Sequence, residues 1–311
     1  MNKKLLIAFK ILFSTGLFVV IINSLDFSGT IKLLKTTNLN FFFVAMLIIA
    51  LQIIIANIRW QIVLNNFKFK LSYMTTLRYL WIGLFFNQAL PSSIGGDALR
   101  GYYLSRSGAN LKNSTLGVLL DRLFGFIGLV VLVLVVVPLL FSRLDGLAAQ
   151  WEIIFVIVGM LSVLSVVFML DLLPYDFSNW KIIRGLYTLS FEVRKMFFSK
   201  TPGIILLLLS ISIHTFSIIA VLILSEGLEL EISWLGIVLV VPLATLFMLI
   251  PISIAGWGVR EGVMIVGLGY LNVLPEQALA LSILYGLLML ITALPGGIIW
   301  LFSSHPNKHE I

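Results

Sequence analysis

Six stretches of this sequence stay apolar for about twenty residues or more, near 5–25, 39–64, 115–141, 151–172, 203–225 and 278–302. A helix needs roughly 20 apolar residues to cross a hydrocarbon core of about 30 Å. Soluble core helices are rarely that long and apolar on every face. In lipid, such runs have to be helical, because no water is present to satisfy open backbone groups. Charged residues make up only 11% of the chain and apolar ones 60%, against about 25% charged for a soluble domain. The expected fold is therefore an all-α polytopic integral membrane protein, with no stretch polar enough for a separate soluble domain. The first run follows Met1-Asn2-Lys3-Lys4. It exceeds a signal-peptide core and no small-x-small cleavage site follows it, so it reads as a retained first span. The chain has no cysteine, which excludes disulfides and thiolate metal sites. No cofactor motif is present. The net charge of +7 does not point to nucleic acid, since basic loops on one membrane face give the same total.

Two further apolar segments are broken. One runs from Tyr73 to Leu90, stops at Pro91-Ser92-Ser93-Ile94-Gly95-Gly96-Asp97 and continues through Arg100. The other runs from Ser233 to Ile250, stops at Pro251-Ile252-Ser253-Ile254-Ala255-Gly256-Trp257-Gly258 and continues through Arg260 and Glu261. The stretch after Gly96 carries Asp97, Arg100, Arg106 and Lys112, a poor composition for crossing lipid. A re-entrant hairpin is the natural alternative. With a cytoplasmic N-terminus and two hairpins, fourteen Lys and Arg fall inside and only Lys32, Lys35 and Arg143 outside. Full crossing of the first broken segment would reverse the balance to six inside and eleven outside. The positive-inside rule selects the hairpins. The loop 173–202 is basic with apolar residues interleaved; it is expected to be an interfacial helix against anionic lipid or a solvated loop.

The hairpin tips align without gaps. Pro91 meets Pro251, Ser93 meets Ser253, Ile94 meets Ile254, Gly96 meets Gly256 and Arg100 meets Arg260, five identities in ten positions. The order of two spans, a hairpin and one span also repeats. The expected organisation is a single transmembrane domain, 1–311, of six full spans plus two hairpins. Its first half is 1–141 with a hairpin at about 73–113, its second half 151–302 with a hairpin at about 233–274, and 303–311 is a cytoplasmic tail. Three crossings per half put the second half upside down, an inverted-topology repeat of the kind that frames a midplane site in secondary transporters.

Chemistry is expected at the tips. A helix restarting at Gly96 or Gly256 would point free N–H groups at an anion, with Ser93 and Ser253 as hydroxyl donors. Arg100 and Arg260, one turn on, can grip a phosphate with two parallel hydrogen bonds. The alternative is that Gly and Pro serve packing and each Arg pairs locally with an acid. Asp97, Asp121, Arg122 and Glu261 are the other charges at this depth. Adjacent helix positions do not face each other, so Arg122 is expected to pair with Asp97 and Asp121 with Arg100. Those pairs would either hold the first hairpin or act on substrate. Glu261 neutralises Arg260 or carries a proton. Asn87 and Gln88 line a polar cavity or pack. Trp257, at a tip, plugs or lines the site. Arg59 is expected to snorkel to the inner surface, and His214 to pack or bond between helices. Trp60, Trp81, Trp151, Trp180, Trp234 and Trp300 fall near span ends, as in an aromatic belt.

The run Asn87 to Arg100, the pair Asp121-Arg122 and the run Pro251 to Gly262 together resemble the flippase-like transmembrane domain of lysylphosphatidylglycerol synthases, along nearly the whole chain. That family also includes stand-alone membrane proteins of bacteria and archaea. The resemblance implies a translocase for a modified phospholipid or lipid-linked sugar. Asp97, Arg100, Arg260 and Glu261 match its motifs. The sequence stops at Ile311, so the aminoacyl-transfer activity of the soluble synthase domain is not carried over. The expected protein is a cell-membrane transporter with both termini cytoplasmic. Its partners would be lipids with anionic head groups and the enzymes that modify lipids or glycans. A membrane enzyme acting on a lipid phosphate, or a non-transporting partner of a synthase, remains the alternative.

Overall fold

A computed structural model describes residues 27–90, 95–141, 147–172, 181–250 and 252–303. The expected first span, Ser93 at the first tip and the tail from 304 onward lie outside the described residues. All regular structure among the described residues is helical. In chain order the helices are α1 Phe27–Thr36, α2 Leu39–Asn66, α3 Tyr73–Ala89, α4 Gly95–Arg106, α5 Leu111–Phe141, α6 Leu147–Met169, α7 Lys181–Phe197, α8 Lys200–Gly227, α9 Trp234–Met248, α10 Val259–Gly269 and α11 Pro275–Phe302. A short 3₁₀ turn, Leu170–Leu172, ends α6. Five of these, α2, α5, α6 with its 3₁₀ turn, α8 and α11, are long and apolar enough to cross a membrane. They coincide with five of the six unbroken runs.

Burial within these spans follows helical spacing even though the sequence is apolar all round. In α2 the buried stripe is Phe42, Ala45, Ile49, Ile53, Asn57, Trp60 and Leu64, while Leu47, Leu51 and Ile54 face outward. Steps of three and four residues keep the first set on one side. Both faces are apolar because protein and lipid each accept apolar groups. The few polar residues mark the protein side: Ser217 Oγ donates to Gln52 Oε1 at 3.2 Å, and Asn57 Nδ2 donates to the Tyr73 carbonyl at 3.1 Å.

Helices that stand at equivalent places in the sequence repeat meet directly. Helices α2 and α8 occupy the same place in the two halves. Asn38 N–H meets the Gly227 carbonyl at one end, Gln52 meets Ser217 in the middle, and Arg59 meets Ser210 further on. Residue numbers rise on one helix as they fall on the other, so the two helices run antiparallel. The last span of each half also packs on the first arm of the other half's broken pair, α5 on α9 and α11 on α3.

The two breaks form differently. Helix α3 ends at Ala89 and α4 opens at Gly95. The close approach within this pair depends on Gly96: a Cβ there would sit 1.8 Å from the Gly83 carbonyl oxygen. Gly96→Ala is therefore expected to cost about 1–3 kcal/mol or more, because backbone must move. Gly101→Ala, where nothing lies within 4 Å, should be neutral or slightly stabilising. Melting of the two variants in detergent checks the contrast. In the second half Ala255, Gly256 and Gly258 all have positive φ, of 50°, 80° and 84°. This turn fills the break, so α10 begins at Val259, directly after it, and Gly256 does not open a helix as Gly96 nearly does.

Helix α7 accounts for most of the stretch 173–202, of which 173–180 lie outside the described residues. Residues 181–197 are a helix that buries Val193 and Met196 against α2, α5 and α8 and Ser190 against Asp171 of the 3₁₀ turn, so over those residues the solvated-loop alternative fails.

Candidate functional site

Five charged side chains gather where α4 restarts. Asp97 lies in the first turn of α4, where the helix dipole favours a carboxylate. Its Oδ2 accepts Arg122 Nε at 2.7 Å and its Oδ1 accepts Arg122 Nη2 at 3.0 Å, a two-point grip. Arg100, one turn on, reaches Asp97 Oδ1 at 3.3 Å and Asp121 Oδ2 at 2.9 Å. Asp121 Oδ1 accepts Arg59 Nε at 2.9 Å, and Arg59 Nη1 continues to Ser210 Oγ at 3.2 Å. The order is thus Arg122–Asp97–Arg100–Asp121–Arg59. Both cross-helix pairings expected from the sequence, Arg122 with Asp97 and Asp121 with Arg100, are present.

Depth grades along this chain. Arg59, Arg100 and Asp121 have side-chain exposures of 8%, 3% and 4%, whereas Asp97 shows 13% and Arg122 43%. One end is sealed in the protein and the other opens at its surface. Three arginines share two aspartates, a surplus of one positive charge. The Arg100 guanidinium also lies 4.1 Å above the Trp60 ring, a favourable geometry for a cation on an aromatic face. Two N–H groups in this stack, Arg100 Nε and Trp60 Nε1, are buried with no hydrogen-bond partner among the described residues.

Two expectations are corrected here. Arg59 does not snorkel. Its guanidinium is held inside by Asp121 and Ser210 and lies against Gly125, where a Cβ would be 3.1 Å from Nη1. Trp60 is not part of an aromatic belt, being fully buried under Arg100. Trp151, Trp234 and Trp300 do lie exposed near helix ends. His214 makes the interhelical bond, Nε2 to the Gly125 carbonyl at 2.9 Å. Asn87 caps the restart, its Oδ1 accepting the Gly96 N–H at 2.9 Å, so that amide already has a partner.

The second break carries a smaller cluster. Glu261 Oε1 accepts Arg260 Nε at 3.1 Å, Arg260 Nη2 and Ser282 Oγ at 3.1 Å, while its Oε2 accepts the Gly258 N–H at 2.6 Å. Neighbouring helix residues normally diverge; here Glu261 curls back over the first turn to cap it. Arg260 lies 4.5 Å above the Trp257 ring, and Gly286 leaves room for its guanidinium. Side-chain exposures are 2% for Arg260 and 0% for Glu261. Ser253 is buried at the tip.

Each half thus places an arginine on a tryptophan and against a carboxylate, from different positions. In the aligned tips Asp97 stands opposite Trp257, and Glu261 opposite Gly101. The first cluster is cationic and partly open. The second is neutral and closed.

The sequence model of the lysylphosphatidylglycerol synthase TM region matches residues 7–297. The chain belongs to this family. Family membership agrees with the helical architecture and with a multi-pass membrane protein. Among similar proteins, a UPF0104 membrane protein of Pyrococcus horikoshii is 24% identical over 174 residues, covering 55% of this chain and 50% of the relative. The match thus spans about half the length of that relative. A UPF0104 membrane protein of Methanocaldococcus jannaschii is 24% identical over 277 residues, covering 82% of each chain.

Proposed function

We propose that this lysylphosphatidylglycerol synthase TM-region protein is a flippase-like transporter that moves an anionic lipid between leaflets of the cell membrane. The lipid would be an aminoacylated or glycosylated phospholipid, or a polyprenyl-phosphate-linked sugar. One observation carries the reading: the cluster at the first break has one more arginine than aspartate, counting the part-exposed Arg122, and holds two buried N–H groups with no acceptor among the described residues. Ionisable groups at membrane depth mark function by default. A phosphate oxygen supplies the missing charge and accepts such donors. Arg122, the exposed end of the cluster, meets the head group first, and Arg100 receives the phosphate over Trp60. The tails stay in lipid while the head group is handed between the two breaks.

The second break then has a distinct part. Its Arg260 is neutralised by Glu261 and sealed. We take this as the closed side of an alternating cycle, in which the two halves exchange open and closed roles about a midplane site. The termini are placed in the cytoplasm, on the side where the basic loops lie. The enzymes that make or consume the lipid are the natural partners.

Reconstitution into liposomes with labelled candidate lipids tests this. Arg122→Gln should keep the fold, since the side chain is part-exposed. It should slow leaflet exchange roughly 10- to 100-fold, the worth of a charged hydrogen bond. Exchange at the wild-type rate in Arg122→Gln and also in Arg100→Ala would remove this cluster from the transport path.

A further inference from the structure

Helix α7 belongs to neither broken pair, and its apolar face is used unevenly. Leu189, Ser190, Val193, Met196 and Phe197 line one side of its C-terminal half. Val193 and Met196 are 0% and 4% exposed, packed with Val63 of α2, Leu120 and Phe124 of α5 and Leu206 of α8. Continuing that same stripe by helical spacing toward the N-terminus leads through Leu186 to Ile182. Those two are 47% and 76% exposed. One half of the face is seated on protein and the other overhangs it.

The seated half is fastened by polar bonds. Ser190 Oγ donates to Asp171 Oδ1 at 3.0 Å and accepts the Asp171 N–H at 3.2 Å, and Arg194 pairs with the buried Asp171 carboxylate. Asn66, at the end of α2, donates to Glu192 Oε2 at 2.9 Å. These contacts fix the direction of the helix, so the overhang projects from a rigid base. At 17 residues α7 is at the lower limit for crossing the bilayer, and its five charged side chains make it unfit to do so. Arg184 and Lys195 lie eleven residues apart, close to three helical turns, on the side opposite the apolar stripe. Both are exposed. Between Lys181 and Lys200 the chain carries five basic residues and one acid, Glu192.

An apolar stripe with a basic opposite face is the pattern of a helix lying in the membrane surface. We infer that α7 is an in-plane helix that docks on anionic lipid of the leaflet facing the basic loops, its overhanging half through Ile182, Leu186 and Arg184, with Lys195 on the same basic face of the seated half. Charge decides the occupant. Neutral lipid satisfies the apolar stripe alone, whereas the excess of basic residues favours an anionic surface. Through Glu192 and Asn66, lipid held at α7 braces the end of the helix that carries Arg59 and Trp60. The inference stands apart from transport and holds whether or not any lipid is flipped.

The native chain has no cysteine, so single spin labels are clean probes. In lipid discs of phosphatidylglycerol and phosphatidylcholine, a label at Leu186→Cys should be accessible to oxygen and shielded from an aqueous nickel reagent. A label at Arg184→Cys should show the reverse. A water-exposed label at 186 would overturn the membrane docking and leave this face to a protein partner. The double variant Arg184→Gln/Lys195→Gln tests the charge. Its preference for phosphatidylglycerol over phosphatidylcholine should fall roughly fivefold per side chain, so about 25-fold for the pair. The wild-type preference should weaken with salt. An undiminished preference in the double variant, with unchanged melting, would overturn the anionic assignment.

Discussion

Replacing Asp121 with leucine is expected to leave almost no folded protein after detergent extraction. Asp121 accepts one 2.9 Å bond from Arg59 and another from Arg100, with 4% of its side chain exposed. Removing it leaves the buried Arg59 without a carboxylate and Arg100 with only its longer, 3.3 Å contact to Asp97. Breaking one buried pair costs about 3–5 kcal/mol, mainly because the surviving charge is left uncompensated. One pair lost outright and a second weakened take a large share of the stability of an ordinary domain, about 5–15 kcal/mol. Asp121→Asn should be milder, since the amide oxygen still accepts one bond, yet the cluster would carry a surplus of two positive charges instead of one. The informative partner variant is Arg59→Met/Asp121→Leu. It removes one charge of each sign and restores the original surplus, while methionine fills the space beside Gly125. Most of the lost folded fraction should return. Fluorescence-detected size exclusion and melting of the three variants measure this. An Asp121→Leu protein that is monodisperse and melts like the wild type would show that the carboxylate does not hold this cluster together.

The scaffold was legible because lipid imposes so simple a rule. The run 203–225 became Lys200–Gly227 and the run 278–302 became Pro275–Phe302, differing only at ends where capping and turns decide. The ion pairs of Asp97 and Asp121 were legible too, because adjacent residues on a helix point apart and have to find partners elsewhere. Arg59 was not. Its partners Asp121 and Ser210 lie 62 and 151 residues away, and an arginine near a span end has a cheap alternative at the surface. A clue was available in Gln52 and Asn57, polar residues in an otherwise apolar span that mark the protein side of α2. Following that side by helical spacing from Asn57 leads to Trp60. In the second half the helix resumes at Val259, where the break in the sequence ends, and not at Gly256. Matching letters at Gly96 and Gly256 hide unlike backbones, since Gly256 has φ of 80° and belongs to a turn. Side-chain identity in an internal repeat transmits the position of a break more faithfully than its geometry.

The second large effect is expected at Glu261, and here stability and transport should separate. Glu261 is fully buried and accepts bonds from Arg260, Ser282 and the Gly258 N–H. Glu261→Ala leaves Arg260 buried without its carboxylate and uncaps α10, for an expected loss of about 3–5 kcal/mol plus about 1 kcal/mol for the cap. Glu261→Gln retains the shape but turns an NH₂ toward donors that all need an acceptor, so it should be nearly as harmful. The double variant Arg260→Met/Glu261→Leu removes the ion pair as a unit. Replacing a buried pair with apolar groups of similar volume is often neutral or stabilising, so this protein should fold and melt close to the wild type. Its behaviour in liposomes then decides what the pair is for. If Arg260–Glu261 only fastens the second break, leaflet exchange should return with the fold. If the pair has to part for the closed half to take the head group, a stable double variant should exchange lipid no faster than protein-free vesicles. Stability without transport is the result expected. Full transport in the double variant would reduce the second cluster to a structural clasp and leave the work of binding to Arg100, Arg122 and the charge surplus around them.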